Sequence, residues 1–267
     1  MIVTTPHWID LDGAANVRDV GGLPTDDGGT TAFNRLIRAD NLQGLSPADI
    51  RRLVDGHGVR TVADLRTGVE VSSEGPGPMT REPAVAIHHL SLFPEAGHNT
   101  DVAVAVDENA PVVLPWKEIE RQQRQTAGIA GVYLGYLQDR ADSVIAALRL
   151  IAGSEGATIV HCAAGKDRTG TVVALALAEV GVSRAAIVAD YAASAERMTQ
   201  IFDRLRRSHT YAADLGDEDV DKHTPRAVSM QRLLDAMDAE LGGVQTWLRA
   251  HGWKDDDAAA LRRQLLG

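Results

Sequence analysis

A strand-like apolar run, a glycine-containing loop and a helix-like apolar run follow one another in the second half of the chain, and this order restricts the available folds. Residues 157–160 (Ala-Thr-Ile-Val) predict a short buried strand, and residues 169–179, apolar nearly all round, predict a buried helix. Residues 161–170 read His-Cys-Ala-Ala-Gly-Lys-Asp-Arg-Thr-Gly. A tight loop from a strand into a helix directs backbone N–H groups inward at the positive end of the helix dipole. The segment therefore predicts a loop that binds a phosphate dianion.

The loop contains the single cysteine of the chain, Cys162, six positions before Arg168. A guanidinium can hold two phosphate oxygens at once, and a positive field favours the thiolate, the form of cysteine that attacks phosphorus. The spacing alone is weak evidence, because a buried cysteine more often acts as a small apolar side chain. Together with His161, Gly165 and Thr169, and with the strand–loop–helix context, it indicates a cysteine-based phosphate site.

The composition argues against several other functions. A net charge of -10 disfavours nucleic acid as a partner, because phosphate backbones bind basic surfaces. The single cysteine excludes a disulfide framework and a two-cysteine metal site, and we expect neither metal nor cofactor. No run approaches the roughly 18 apolar residues of a membrane span, and residues 1–8 do not resemble a signal peptide. We expect a cytoplasmic protein without stable membrane insertion, with leaderless export left open.

The length of 267 residues fits one large domain, and we expect a single domain over residues 1–267. Residues 46–49 (Ser-Pro-Ala-Asp) predict a helix start, with serine as N-cap and proline in the first turn. This helix is expected to end at Gly56 or Gly58, and residues 59–65 predict the next strand. A helix followed by a strand in this way is typical of α/β folds.

The rest of the chain predicts few strands and many helices. Further strands are expected at residues 35–38 and 85–92, a loop at 71–82, and helices at 133–152, from Ser183 to about 207, and at 228–241, 244–251 and 256–266. Residues 94–130 are poorly patterned, with a helix expected from Trp116, and have the length of a lid insertion.

Four further segments agree with a known family: residues 16–22, 37–40, 62–66 with Glu70, and 188–191 with Ser194. Together with the loop they resemble the cysteine-dependent protein tyrosine phosphatases, and more narrowly the atypical bacterial branch that also accepts phosphoserine, phosphothreonine and phosphoinositides. The Lys-Asp pair in the loop is the most specific element. The resemblance implies an α/β fold in which helices flank a central, mostly parallel sheet, with the loop at the carboxyl end of a central strand. It also implies a metal-independent, two-step phosphoryl transfer.

The resemblance implies a role for each loop residue. Cys162 is the nucleophile that forms a phosphocysteine, while Arg168 and the N–H groups of residues 163–168 hold the phosphoryl oxygens. The hydroxyl of Thr169 bonds Cys162 or is an ordinary helix N-terminal threonine, and His161 supports the loop or simply packs. Substrate binding is assigned to Ala163, Ala164, Gly165, Lys166 and Thr169.

The general acid, which must protonate the leaving oxygen, has three candidates. Typical tyrosine phosphatases use the aspartate of a Trp-Pro-Asp loop, and this chain has no such tripeptide. The resemblance favours Asp167, inside the phosphate loop. Glu95, in a Phe-Pro-Glu sequence after a predicted strand, comes second, because a proline turn with an exposed glutamate explains it as well. Asp64 comes third, because it could pair with a neighbouring arginine and brace the site.

Other residues are expected to act around the loop. Lys166 either lies on the surface or meets a further phosphate on an inositol ring, or a substrate carboxylate. Supporting positions are expected beside and behind the loop at Asn16, Arg18, Asp19, Asp190 and Tyr191.

Two alternatives to a phosphatase of phosphorylated proteins or phosphoinositides remain. A sulfurtransferase also uses a cysteine in an anion-binding loop but would not need the Lys-Asp pair, and arsenate reductases with such a loop need further cysteines that this chain lacks. A phosphate-binding protein without activity conflicts with the intact Cys162, Arg168 and Thr169. The sequence does not indicate an oligomeric state.

Overall fold

A mixed β-sheet lies at the centre of the computed structural model, which describes residues 5–94, 116–215 and 220–267. Within these ranges the sheet has six strands in the order β1-β2-β3-β6-β4-β5. β1 pairs with β2 and β2 with β3 in antiparallel fashion, whereas β3, β6, β4 and β5 are parallel. The strands are β1 (His7–Trp8), β2 (Arg18–Asp19), β3 (Leu36–Ala39), β4 (Val59–Asp64), β5 (Ala86–His89) and β6 (Ala157–His161).

Helices make up most of the remaining described structure. In chain order they are α1 (Pro47–Arg51), α2 (Gly68–Glu74), α3 (Trp116–Asp139), α4 (Ala141–Gly153), α5 (Asp167–Glu179), α6 (Arg184–Ala193), α7 (Met198–Leu205), α8 (Ala212–Leu215), α9 (Val220–His223), α10 (Ala227–Leu241), α11 (Val244–Ala250) and α12 (Asp255–Leu266). Short 3-10 helices span Leu42–Gly44, Pro78–Arg81 and Ser194–Arg197. The predicted fold class, a mostly parallel sheet flanked by helices, is confirmed.

The central strands are buried on both faces. In β6, Ile159 packs into one apolar cluster and Val160 into another on the opposite face, and Val62 and Ala63 of β4 alternate in the same way. A strand covered on both faces needs apolar residues at successive positions instead of every second one. This explains why Ile159 and Val160 are both apolar, although they face opposite sides of the sheet.

The parallel arrangement brings three strand ends to one edge of the sheet. β6 lies between β3 and β4, and all three run in the same direction. The backbone N–H of Leu65 donates to the carbonyl of His161 at 2.9 Å, and that of Asn41 donates to the carbonyl of Ala163 at 3.0 Å. The loop that follows β6 is therefore held from both sides by the segments that follow β3 and β4.

Helix boundaries follow the predicted signals in several places. Ser46 caps α1 through a capping box with Asp49, and a π-helical turn continues the helix to Gly56. Ser183 caps α6, as expected, but the helix expected to reach residue 207 is divided into α6, a 3-10 turn and α7. The helix expected over residues 133–152 is divided at Arg140 into α3 and α4.

The loop predicted from residue 71 to 82 is wrong in its first part, because α2 extends to Glu74. The Thr67 hydroxyl accepts from the Glu70 N–H at 3.2 Å, and the Glu70 carboxylate accepts from the Thr67 N–H at 2.7 Å. This capping box satisfies two backbone donors of the first turn and favours a helix where the composition suggested a loop.

The predicted lid at residues 94–130 lies largely outside the described residues, and so does Glu95. The helix expected from Trp116 is present as α3, which is interrupted at Gly128, where φ is 65°. None of the helices within the described ranges combines the length and apolarity of a membrane-spanning segment.

Candidate active site

The loop between β6 and α5 is tightly built around Gly165. This residue has a φ of 65°, and a Cβ added to it would lie 2.4 Å from the carbonyl oxygen of Ala39. Glycine is therefore required both by the backbone conformation and by the close approach to β3. Cys162, at the start of the loop, is 3% exposed. The loop thus presents its cysteine from the carboxyl end of the central strand, as the sequence predicted.

Arg168 is held by the buried carboxylate of Glu70, a residue for which the sequence suggested no role. Its Nη1 donates to Glu70 Oε2 at 2.6 Å and its Nη2 to Glu70 Oε1 at 2.9 Å, and the Tyr211 hydroxyl donates to Oε1 at 3.1 Å. Burial alone would raise the pKa of Glu70, but the charge and hydrogen bonds of Arg168, together with the Thr67 N–H, lower the pKa below its usual value. The bidentate pair holds the guanidinium plane in a single orientation.

Thr169, which follows Arg168, does not make the hydrogen bond to Cys162 that the resemblance implied. The Thr169 hydroxyl is fully buried and finds no hydrogen-bond partner among the described residues. The predicted bond to Cys162 is therefore not formed in this structure. A buried hydroxyl without a partner is uncommon in folded proteins, and this one lies on the residue that follows the phosphate loop.

His161 and Asp64 meet behind the loop. His161 Nδ1 lies 3.3 Å from the carbonyl oxygen of Cys162, and its Nε2 lies 3.6 Å from Asp64 Oδ1. Burial lowers the pKa of His161 to about 4, so the ring is neutral at pH 7. Asp64 is bound by Arg66, whose Nη2 donates to Oδ2 at 2.6 Å. Burial opposes ionisation of Asp64, but its neighbours His161 and Arg66 hold its pKa well below the usual range.

Asp167 and Lys166 are both bound within the protein. The Tyr133 hydroxyl donates to Asp167 Oδ1, and Lys166 Nζ lies 3.3 Å from Oδ2. Lys166 Nζ also donates to the carbonyl oxygen of His223 at 2.6 Å. In this structure the lysine therefore connects the loop to α9, while the Asp167 side chain keeps 24% of its surface exposed.

A buried polar network supports the loop from outside. Asn16 Nδ2 donates to the carbonyl oxygens of Ala164 at 3.0 Å and Gly165 at 3.1 Å, and Arg38 Nη2 donates to Gly165 at 2.9 Å. These donors satisfy loop carbonyls that are buried away from water, and they hold the loop from the side of β2 and β3. The predicted supporting position Asn16 is therefore in direct contact with the loop.

One carboxylate organises the two arginines of this network. Asp190 Oδ1 accepts from Arg18 Nε at 2.8 Å, and Oδ2 accepts from Arg38 Nη1 at 2.5 Å. Burial and the neighbouring Arg38 lower the pKa of Arg18 to about 10, so it stays charged at pH 7. Asp190 lies behind the loop, as expected, and links β2, β3 and α6.

Within the described part of the chain, no group of three or more His, Cys, Asp or Glu side chains is arranged to hold a metal ion.

A cleft of about 250 Å³ borders the loop at Ala163. Its other walls include Asn41 and Glu74 on one side and Arg207 and Ser208 on the other.

Comparison with known proteins agrees with this geometry. The profile of a family described as the tyrosine phosphatase family matches residues 9–267. The chain belongs to this family. It is therefore a hydrolase of phosphomonoesters and acts on phosphorylated substrates. The resemblance of the sequence to the protein tyrosine phosphatases is confirmed.

Three curated relatives are similar to the chain over most of their length. The chain is 31% identical over 215 residues (73% of this chain, 72% of the relative) to the triple specificity protein phosphatase PtpB of Mycobacterium tuberculosis. It is 30% identical over 247 residues (91% and 83%) to a putative tyrosine-protein phosphatase of Cupriavidus necator. It is 28% identical over 278 residues (94% and 86%) to a tyrosine-protein phosphatase of Nostoc commune.

Sequence reasoning left three side chains of this site without a role: Glu70, Tyr133 and Tyr211. Thr67 and Glu70 have the spacing of a capping box, a pattern that could have revealed α2 and placed Glu70 in its first turn. No local pattern marks the two tyrosines. Their contacts depend on segments that are distant in sequence: Tyr133 lies 34 positions from Asp167, and Tyr211 lies 141 positions from Glu70.

Proposed function

We propose that this tyrosine phosphatase works in two steps through a phosphocysteine on Cys162. In the first step the thiolate attacks phosphorus, the bond to the leaving oxygen breaks, and a general acid protonates that oxygen. In the second step water attacks the phosphocysteine, the sulfur–phosphorus bond breaks, and phosphate and the thiolate are released. The observation that carries this proposal is the loop itself, with Cys162 at the carboxyl end of β6 and Arg168 locked by Glu70.

The loop would bind the phosphoryl group through oriented donors. Charge in the transition state lies on the equatorial oxygens, and donors that are already in place stabilise it without reorganisation. Glu70 sets the guanidinium plane of Arg168, and Asn16 and Arg38 hold the loop carbonyls outward. We assign phosphoryl binding to Arg168 and to the backbone N–H groups of residues 163–168.

We propose Asp167 as the general acid. Asp64 is held as a carboxylate by Arg66, with a pKa well below the usual range, so it has no proton to give at neutral pH. Asp167 lies in the loop next to Arg168, and its side chain is 24% exposed. Glu95, the other candidate, lies outside the described residues.

We propose phosphotyrosine in proteins as the principal substrate and phosphoserine, phosphothreonine and phosphoinositides as further ones. The name of the relative PtpB describes that protein as a triple specificity phosphatase. The cleft beside Ala163 offers space for parts of a substrate beyond its phosphate. For Lys166 to meet an inositol phosphate, its ammonium would have to leave the carbonyl of His223. The net charge of -10 disfavours nucleic acid as a substrate.

The test is phosphate release from an aryl phosphate in the presence of EDTA, by the wild type and by Cys162→Ser. We expect the wild type to be active with EDTA and the serine variant to lose activity by at least about 10⁴-fold, because an alcohol is a far weaker nucleophile than a thiolate. Activity retained by the serine variant would contradict the assignment of the nucleophile.

The substrate range is measured with a phosphotyrosine peptide, a phosphoserine peptide and a short-chain phosphoinositide, for the wild type and for Lys166→Ala. We expect Lys166→Ala to lower activity on the phosphoinositide more than on the phosphotyrosine peptide. An equal loss on both would contradict a discriminating role for this lysine.

A further inference from the structure

Two buried tyrosines converge on Asp167 from helices that are not part of the loop. The Tyr133 hydroxyl, on α3, donates to Asp167 Oδ1. The Tyr191 hydroxyl, on α6, lies 2.6 Å from the Tyr133 hydroxyl and 3.5 Å from the same carboxylate oxygen. Because the Tyr133 proton is directed at Asp167, Tyr191 is the donor in the contact between the two tyrosines. The three groups form a short chain of hydrogen bonds that ends on Oδ1.

Both tyrosines are held in place and stay protonated. Tyr133 is 0% exposed and Tyr191 2% exposed. Burial, followed by the charge of Asp167, raises the pKa of each phenol above its ordinary value. Each hydroxyl therefore remains a hydrogen-bond donor across the physiological pH range.

Gly170 explains how Tyr191 comes so close to the loop. A Cβ added to Gly170 would lie 2.8 Å from the Tyr191 ring. The ring therefore packs directly on the first turn of α5, where any larger residue would displace it. The glycine that closes the loop sequence thus admits the aromatic ring whose hydroxyl reaches Tyr133.

We propose that Tyr133, supported by Tyr191, is a positioning residue that orients the carboxyl group of Asp167 for proton transfer to the leaving oxygen. This inference rests on the proposed role of Asp167 as general acid. With Oδ1 occupied by the phenol, the transferable proton resides on Oδ2. During the reaction the Oδ2–H bond breaks and a bond forms between that proton and the leaving oxygen, while the phenol keeps its own proton. The acid is restored by the proton that the attacking water loses in the second step.

The contact between Asp167 and Lys166 shows why a positioning residue is useful. Lys166 Nζ lies 3.3 Å from Oδ2, but the same ammonium donates to His223 and sits on a flexible side chain. A general acid loses rate steeply when its carboxyl group rotates out of line with the acceptor. The rigid, buried phenol of Tyr133, which donates to Oδ1, restricts this rotation.

The test compares aryl phosphates with good and poor leaving groups, for the wild type and for Tyr133→Phe. p-Nitrophenolate leaves without much help from an acid, whereas phenolate needs a proton. We expect Tyr133→Phe to lower kcat for phenyl phosphate by about tenfold or more and kcat for p-nitrophenyl phosphate by less than about threefold, a fraction of the loss expected for complete removal of an acid. KM is expected to stay unchanged for both substrates.

Three variants complete the experiment. Asp167→Asn removes the acid completely and so gives the largest expected effect. It should steepen the dependence of kcat on the leaving group more than any other variant. Tyr191→Phe, measured in parallel, should give a smaller change in the same direction and serves as the test if Tyr133→Phe does not fold. Tyr211→Phe is the matched control, because it also removes one buried hydroxyl from the site, but the one bound to Glu70. It should affect both substrates equally.

The outcomes separate this inference from the proposed function. If Asp167→Asn steepens the dependence and neither Tyr133→Phe nor Tyr191→Phe does, the inference is overturned while the acid assignment stands. If Asp167→Asn leaves the dependence unchanged, the acid assignment and the inference fall together, although the Cys162 mechanism stands. If Tyr211→Phe reproduces the effect of Tyr133→Phe, the effect reflects general loosening and the inference is overturned.

Discussion

His161 is a buried histidine whose neutral form suits its position between a carboxylate and a loop carbonyl. The strand places it directly before Cys162, with Asp64 on one side of the ring and the Cys162 carbonyl on the other. Burial lowers its pKa to about 4, against 6.5 in an unfolded chain. Protonation would place an imidazolium in a site that already holds the buried cations of Arg66 and Arg168. The histidine is thus adapted to support the loop without carrying charge.

This shift predicts how stability depends on pH. Between pH 6.5 and pH 4 the unfolded histidine binds a proton that the native one does not, so His161 lowers the free energy of unfolding as the pH falls through this range. The full effect is about 3 kcal/mol. We expect His161→Gln to lose less stability than the wild type between these pH values. Urea unfolding at both ends of the range measures the difference, and parallel curves would contradict the prediction.

At the scale of elements, the loop depends on the close approach of β3 to Gly165. The added Cβ that would lie 2.4 Å from the Ala39 carbonyl cannot be accommodated by side-chain movement, because the clash is with backbone. The loop would have to move away from β3. That movement would displace the N–H groups proposed to hold the phosphoryl oxygens.

We therefore expect Gly165→Ala to lower kcat/KM by about 100-fold or more, in the range seen when oriented donors are lost, and to destabilise the protein by about 2 kcal/mol or more. Gly28→Ala is the matched control, since Gly28 also has a positive φ of 89° but an added Cβ there meets nothing within 4 Å. Gly28→Ala should lower the free energy of unfolding by about 1 kcal/mol and leave the activity at the wild-type level. Steady-state kinetics and urea unfolding of both variants test this prediction. Equal activity of Gly165→Ala and Gly28→Ala would contradict the proposed displacement of the loop.

At the scale of the whole molecule, Asp190 joins the N-terminal strands to the helical part of the chain. It neutralises two arginines, Arg18 and Arg38, that are 0% exposed. Burial opposes its ionisation, yet the two arginines lower its pKa below the usual value. A buried charge without its partner is far more costly than an exposed one.

We expect Asp190→Asn to destabilise the protein by about 3–5 kcal/mol, because it leaves two buried guanidinium groups undercompensated. Asp235→Asn makes the same chemical change at an exposed carboxylate paired with Arg184 and should cost less than about 1 kcal/mol. Thermal and urea unfolding compare the two variants. A similar loss of stability in both would contradict the structural role assigned to Asp190.

The sequence by itself determined the features that depend on neighbouring residues. The uncharged, β-branched run before His161 indicated a short buried strand, and the glycine-containing loop and apolar helix after it indicated the phosphate site. Serine caps placed the starts of α1 and α6 correctly. These features follow from backbone geometry and capping, which act over a few positions and can be read locally.

The tertiary structure decided which side chains meet in the site. Glu70 lies 98 positions from Arg168, and Tyr133 lies 34 positions from Asp167. Only the packing of α2 and α3 against the loop brings these pairs together. The position of α9 likewise turned Lys166 toward His223, although the sequence allowed this lysine to face a substrate. The physical reason is that a buried charge or hydroxyl takes the partner that the surrounding helices and strands place within hydrogen-bond distance, and no local pattern specifies that partner.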